Sequence, residues 1–154
     1  MRIIGIDPGT LHSGLAVIDS EDETIIHHKA WTLNLQIESY LLFEMDKGDH
    51  FGCEWVQNYG RVIGEETLRA AYYAGRFAYI ATNNQAERIW EPTRPEILGH
   101  HCGSRNVPKS NLRQAILDRY GGKEAKKKGN PLHGISNHIW DALAVALYIK
   151  DNLS

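Results

Sequence analysis

The segment RIIGIDPGTLHSGLAVID, residues 2 to 19, constrains the fold most. One apolar run ends in a carboxylate, Asp7, at a Pro-Gly turn, and a second apolar run returns; this is the pattern of a β-hairpin with an acid at its heart. Side chains of a strand alternate, so Ile3, Gly5 and Asp7 share one face while Ile4 and Ile6 take the other. Asp7 is therefore expected at a strand end, at or inside buried surface. A carboxylate there needs a counter-charge, a hydrogen-bond donor or a metal ion, because an unpaired charge in apolar surroundings is costly or neutralises itself. A turn aspartate capping the Pro8–Gly9 bend gives the same local pattern. Other acids must decide between the two.

Two are placed comparably. In HFGCEWVQNYG, a strand predicted over Phe51 to Val56 carries Glu54 in its middle, where a solvated position is the ordinary alternative. Near the C-terminus, SNHIWDALAVALYI predicts a helix capped by Ser136 or Asn137, with Ile139, Leu143, Ala146 and Leu147 at helical spacing. His138 lies three residues before Asp141, so both project from one side of that helix. An Asp near a helix N-terminus also favours the dipole, and a neighbouring His can simply satisfy it. Taken together, an Asp on the first strand, a Glu on a later strand and an H-x-x-D on the last helix make the oxygen-rich set of a two-metal phosphodiester site. Two Mg²⁺ ions about 4 Å apart stabilise both the attacking water and the leaving oxygen, and one carboxylate must bridge them.

The remaining pattern predicts strands Ser13 to Asp19 and Thr24 to Thr32, a short helix of roughly Leu33 to Lys47, and a helix Gly64 to Ala81. A strand Ala86 to Trp90 and helices around Arg94 and Lys109 complete the order. Three sequential strands followed by alternating helices and strands imply an α/β fold: a mixed five-stranded sheet flanked by helices. The 154 residues, 42% hydrophobic, suit one domain over 1-154. With no secretory h-region and no apolar run of about 18 residues, the expected location is the cytoplasm and no membrane partner is expected. Cys53 and Cys102 lie in no metal spacing and are expected as thiols. His100, His101 and Cys102 lack the second ligand pair that a zinc site needs.

The motifs GIDPGTLHSGLAVID, CEWVQN with LRAAYYAGRFAYIA, VPKSNLRQAI and NHIWDALAVALYI, in this order, resemble the RuvC-type Holliday junction resolvases of the ribonuclease H-like superfamily. The resemblance runs over nearly the whole chain. It implies a ribonuclease H-like fold and a homodimer that resolves four-way or other branched DNA with Mg²⁺; an imidazole ligand from His138 would suit Mn²⁺ better than Mg²⁺, so Mn²⁺ is expected to substitute. By the same likeness Asp7 is the bridging ligand, Glu54 completes one metal site, and Asp141 with His138 completes the other. Lys109, in VPKSNL, matches a lysine near the scissile phosphate. The position of His138 is usually acidic in the family. The segment between the third strand and Glu54 is short, as in a compact form carried by a virus or phage; location is then the host cytoplasm.

Net charge is −2, which gives no global attraction to phosphate. Distribution matters more. Residues 19–54 hold nine acids against Lys29 and Lys47, whereas residues 105–128 hold eight bases against Asp118 and Glu124. A basic rim made of Arg105, Lys109, Arg113, Lys126, Lys127 and Lys128, with Arg94, would hold the DNA backbone, although a triple-Lys run is commonly only a solvated loop. Tyr59 is the candidate to stack on an unpaired base; Trp55, which alternation turns away from the face of Glu54, is expected in the core. No Ser, Tyr or Cys stands in a convincing nucleophile setting, which favours activated water. Two alternatives remain: a YqgF-type RNA nuclease of the same fold, and an ATPase fragment of the actin and heat-shock chaperone kind, whose first phosphate loop G-I-D-P-G-T resembles.

Overall fold

The computed structural model describes residues 1–153. The element order is β1 (Arg2–Asp7), β2 (His12–Asp19), β3 (Ile25–Leu33), α1 (Asn34–Phe43), β4 (His50–Cys53), α2 (Glu65–Asn83), β5 (Arg88–Trp90), α3 (Arg94–Cys102), α4 (Lys109–Arg119), a 3-10 helix (Gly122–Lys126) and α5 (His138–Asp151). β1, β2 and β3 pair antiparallel; β4 joins the other edge of β1 in parallel, and β5 follows β4 in parallel. The spatial order is β3-β2-β1-β4-β5. Helices supply the crossovers that parallel pairing requires. The expected mixed five-stranded sheet flanked by helices is present.

Strand alternation divides the core between the two faces of the sheet. Ile4, Ile6, Leu15, Val17 and Phe51 pack with α1 and α2 through Ile37, Leu41 and Phe77. Ile3, Ala16 and Ile18 face the other way, onto α5, with α3 and α4 outside it through Ile97, Leu112 and Ile116. Helix α5 is thus covered on both sides. Its residues Ile139 to Leu147 are all buried, a wider burial than the apolar face expected from spacing. Glycines set its depth. A Cβ at Gly5 would strike the Ala142 carbonyl oxygen and lie 2.8 Å from the Ala146 nitrogen, and one at Gly14 would strike the backbone of His138.

Several expectations are corrected. β4 ends at Cys53, so Glu54 lies just past a strand end rather than in mid-strand. Beyond it the chain leaves β1 and turns to the segment after β5: the Trp55 N–H donates to the Pro92 carbonyl at 2.9 Å and Trp55 pairs with Thr93. Strand alternation stops there, and Trp55 is 48% exposed instead of lying in the core. Helix α1 stops at Phe43, short of Lys47, because Arg2 ties down the following turn, donating to the Glu44 carbonyl at 2.7 Å and pairing with Asp46 and Asp49. The α5 N-cap is Asn137, but neither it nor Ser136 caps through its side chain; Asn137 has φ 43°. Among the described residues, no helix is long and apolar enough to cross a membrane.

Candidate metal centre and nucleic-acid interface

Three elements end at one point. β1 delivers Asp7 opposite Gly14 of β2. The turn after Asp7 is tied by a part-buried triad: the Gly9 N–H donates to Ser13 Oγ at 3.0 Å, that hydroxyl donates to Asn34 Oδ1 at 2.6 Å, and Asn34 Nδ2 donates to the Gly9 carbonyl at 3.0 Å. Glu54 stands beside it, because its N–H continues the β1–β4 ladder to the Ile6 carbonyl at 3.1 Å. Helix α5 begins against Gly14 and brings in His138 and Asp141 from its first turns. None of the three anchors Ser13, Asn34 and Gly14 was identifiable from the local pattern. Each works through a partner distant in sequence.

His138 Nδ1 lies 2.7 Å from Asp7 Oδ2. Ligand atoms from Asp7, His138 and Asp141 all lie within 4.8 Å of one another, which makes this trio a fit for one divalent ion: two hard carboxylate oxygens and one imidazole. Glu54 is set apart from the trio by a guanidinium. Arg94 Nη1 donates to Asp141 Oδ1 at 2.6 Å and to Glu54 Oε2 at 3.5 Å, while Lys109 Nζ reaches Asp141 Oδ2 at 3.3 Å. Arg94 starts α3, whose N-terminus is fixed by a capping box between Thr93 and Glu96. The sequence pattern sets Arg94 on the basic rim; its guanidinium lies inside the acid cluster.

Packing carboxylates together perturbs their protonation. Burial, reinforced by the neighbouring Asp7, pushes the Glu54 carboxyl from 4.5 up to about 7, although Arg94 pulls it back. Burial also raises Asp7; the His138 bond opposes that shift and Asp141 adds to it. The bond to Asp7 raises His138. Burial works against the Arg94 charge, but Asp141 and Glu54 overcome it and raise the guanidinium further. A cluster of acids held at the cost of protonation is poised to gain from a cation.

The other candidates spread around this point. Tyr59 is exposed with φ 50° and lines an open cleft with Trp55, Asn58 and Ile63; partial desolvation of its hydroxyl and the Glu54 charge raise its phenol. Arg113 and Lys126 line a second cleft, about 260 Å³, with Trp140 of α5, and Lys126 Nζ stands 5.9 Å over that indole. Lys127 pairs with Glu124 at 2.7 Å, and Lys128 is exposed. Arg105 follows α3, with its stem against Gly99. His100 pairs with Asp151 at 2.7 Å and His101 with the Ala144 carbonyl at 2.9 Å, so both have structural partners, while Cys53 and Cys102 are free thiols.

No family model matches the chain, and no curated protein does. Solved structures do. Thermus thermophilus RuvC is 20% identical and superposes with a TM-score of 0.70 over 96% of this chain and 92% of that one. The same protein in complex with Holliday junction substrate superposes at 0.66, again 20% identical, with the same shares covered. The likeness is one of fold: the mixed five-stranded sheet and its flanking helices are those of a chain with the RuvC-type, ribonuclease H-like fold.

Proposed function

We propose that this protein is a divalent-metal-dependent endonuclease that cuts branched DNA, four-way junctions foremost, by hydrolysis. The observation that carries this reading is the convergence of Asp7, His138 and Asp141 within 4.8 Å, in a fold shared with a protein solved on a Holliday junction. A bound Mg²⁺, or Mn²⁺ in its place, would supply positive charge to polarise the scissile phosphate and lower the pKa of water.

The chain's own residues do the rest. Asp7 and Asp141 offer oxygens, and the His138 imidazole must be free of its extra proton to serve as a ligand. Glu54 completes the acid set from the far side of Arg94. Lys109, exposed at the start of α4 and 3.3 Å from Asp141 Oδ2, would neutralise the scissile phosphate. Tyr59 offers a face for an unpaired base, which such stacking stabilises by about 1 to 3 kcal/mol. Arg105, Arg113 and Lys126 to Lys128 hold the duplex arms through phosphates.

Symmetric cuts need two such sites, so this reading includes a homodimer. This reading places the enzyme in the cytoplasm, the host's if phage-encoded. The deciding experiment incubates the protein with a labelled four-way junction, a linear duplex and an RNA hairpin, with and without Mg²⁺. Paired nicks in the junction alone, only with metal, are expected. Preferential cleavage of the hairpin moves the assignment to a YqgF-type RNA nuclease, and no cleavage of any substrate refutes the nuclease reading.

A further inference from the structure

We propose that Arg94 is the resting counter-cation of the acid cluster: its guanidinium occupies the space between Glu54 and Asp141, competes with the divalent ion, and passes to a DNA phosphate when that ion binds. This rests on the metal-centre reading above.

Three observations support it. First, both oxygens of Asp141 are already engaged by organic cations, Oδ1 by Arg94 at 2.6 Å and Oδ2 by Lys109 at 3.3 Å, yet Asp141 also belongs to the trio suited to a metal. A dication at that trio meets a fixed positive charge in contact with one of its ligands. Secondly, Arg94 occupies the first turn of α3, where the helix dipole disfavours a cation. What holds it there is the pair of acids, Asp141 at 2.6 Å and Glu54 at 3.5 Å, and its side chain is only 16% exposed. Thirdly, an arginine cannot leave by giving up its proton, as a lysine can. It must move, and a planar fork released beside a bound metal is suited to a phosphate oxygen pair. Metal and DNA binding are then coupled, because each favours the same displaced arginine.

The test uses the full chain. Mn²⁺ binding to the free protein is measured by electron paramagnetic resonance for wild type, Arg94→Gln and Arg94→Lys. Removing a charge in contact with the site should tighten Mn²⁺ binding at least about tenfold in Arg94→Gln. Lysine keeps the charge but cannot span both acids, so Arg94→Lys should tighten binding by a smaller factor, about threefold, and it decides the matter if the Gln variant fails to fold. Junction affinity is the second readout. Arg94→Gln should lose less than about twofold in EDTA, where the arginine is held by Asp141, but about tenfold or more in Ca²⁺, where it should be on the phosphate. Equal or weaker Mn²⁺ binding by the variants overturns the counter-cation role while leaving the metal centre standing. Absence of Mn²⁺ binding in all three proteins overturns both.

Discussion

Replacing Glu54 by Gln should make the metal-free protein more stable at alkaline pH, as expected where like charges are crowded at a candidate site. In the folded state burial and Asp7 lift this carboxyl from 4.5 to about 7. A raised acid favours its neutral form in the fold, so its contribution is intact below 4.5 and is lost as pH rises from there through 7. A tenfold change in a protonation equilibrium is worth about 1.4 kcal/mol, so the ionised form costs the fold up to about 3 kcal/mol at pH 8. Solvent screening at this partly exposed carboxyl, 18% exposed, lowers the cost to about 2 kcal/mol. Gln keeps the shape and carries no charge at either pH. Arg94 retains Asp141 as its partner at 2.6 Å. In EDTA at pH 8, the thermal midpoint of Glu54→Gln should exceed that of wild type by about 4 to 8 °C, with the gap closing near pH 4.5. Added Mn²⁺ should narrow the gap at pH 8, because the cation restores to the wild type what the extra acid removed. A variant less stable than wild type at pH 8 in EDTA, or a gap independent of pH, would show that Glu54 sits comfortably ionised, and the argument from crowded carboxylates would fail.

Asp7→Asn should lower junction cleavage by about 100-fold or more while junction binding, measured by gel shift, stays equal or tightens; residual cleavage at a tenth of the wild-type rate would remove Asp7 from the centre. In cleavage assays across pH, metal occupancy should fall as pH drops through a value above 6.5, because Asp7 raises the His138 pKa and the protonated imidazole cannot ligate. His138→Asp should carry this acid limb to lower pH and keep activity with Mg²⁺; an unchanged pH and metal profile would exclude His138 as a ligand. Converting Lys126, Lys127 and Lys128 to Ala should weaken binding to every DNA shape alike. It should reduce the salt slope by between about one and three phosphate contacts, the low end reflecting the Lys127–Glu124 pair; selective loss on junctions alone would refute this. Gly5→Ala should destabilise the fold by about 3 kcal/mol or more in a denaturant titration, since the new Cβ meets the backbone of α5; a loss under about 1 kcal/mol would mean that α5 packs less closely than described.

Much of this protein was legible in one dimension because the signals are local. A strand ending in Asp7 at a Pro-Gly turn, an H-x-x-D at a helix start and a strand-strand-strand opening depend on residues within a few positions of one another, where alternation and helical spacing decide which side chains share a face. That named the strands and, together with the resemblance of the motifs, the mixed five-stranded sheet and a set of acid candidates. Trp55 marks where such reasoning stops: alternation holds only while the chain remains paired to β1, and its departure toward Pro92 is a contact across 37 positions that no local pattern encodes.

The charges follow the same division. From composition and spacing alone Arg94 was a base near a helix start, equal in kind to Arg105 or Arg113. Only the tertiary structure put its guanidinium between Glu54 and Asp141, separating Glu54 from the Asp7, His138 and Asp141 trio. Which residues could carry charge was determined by the sequence. Which charges meet, and so which carboxyl is forced toward neutrality and which base becomes its counter-ion, was decided by the packing of α5 against Gly5 and Gly14 and by the capped start of α3. Electrostatic energies fall with distance and rise with burial, and both quantities exist only once the chain has folded.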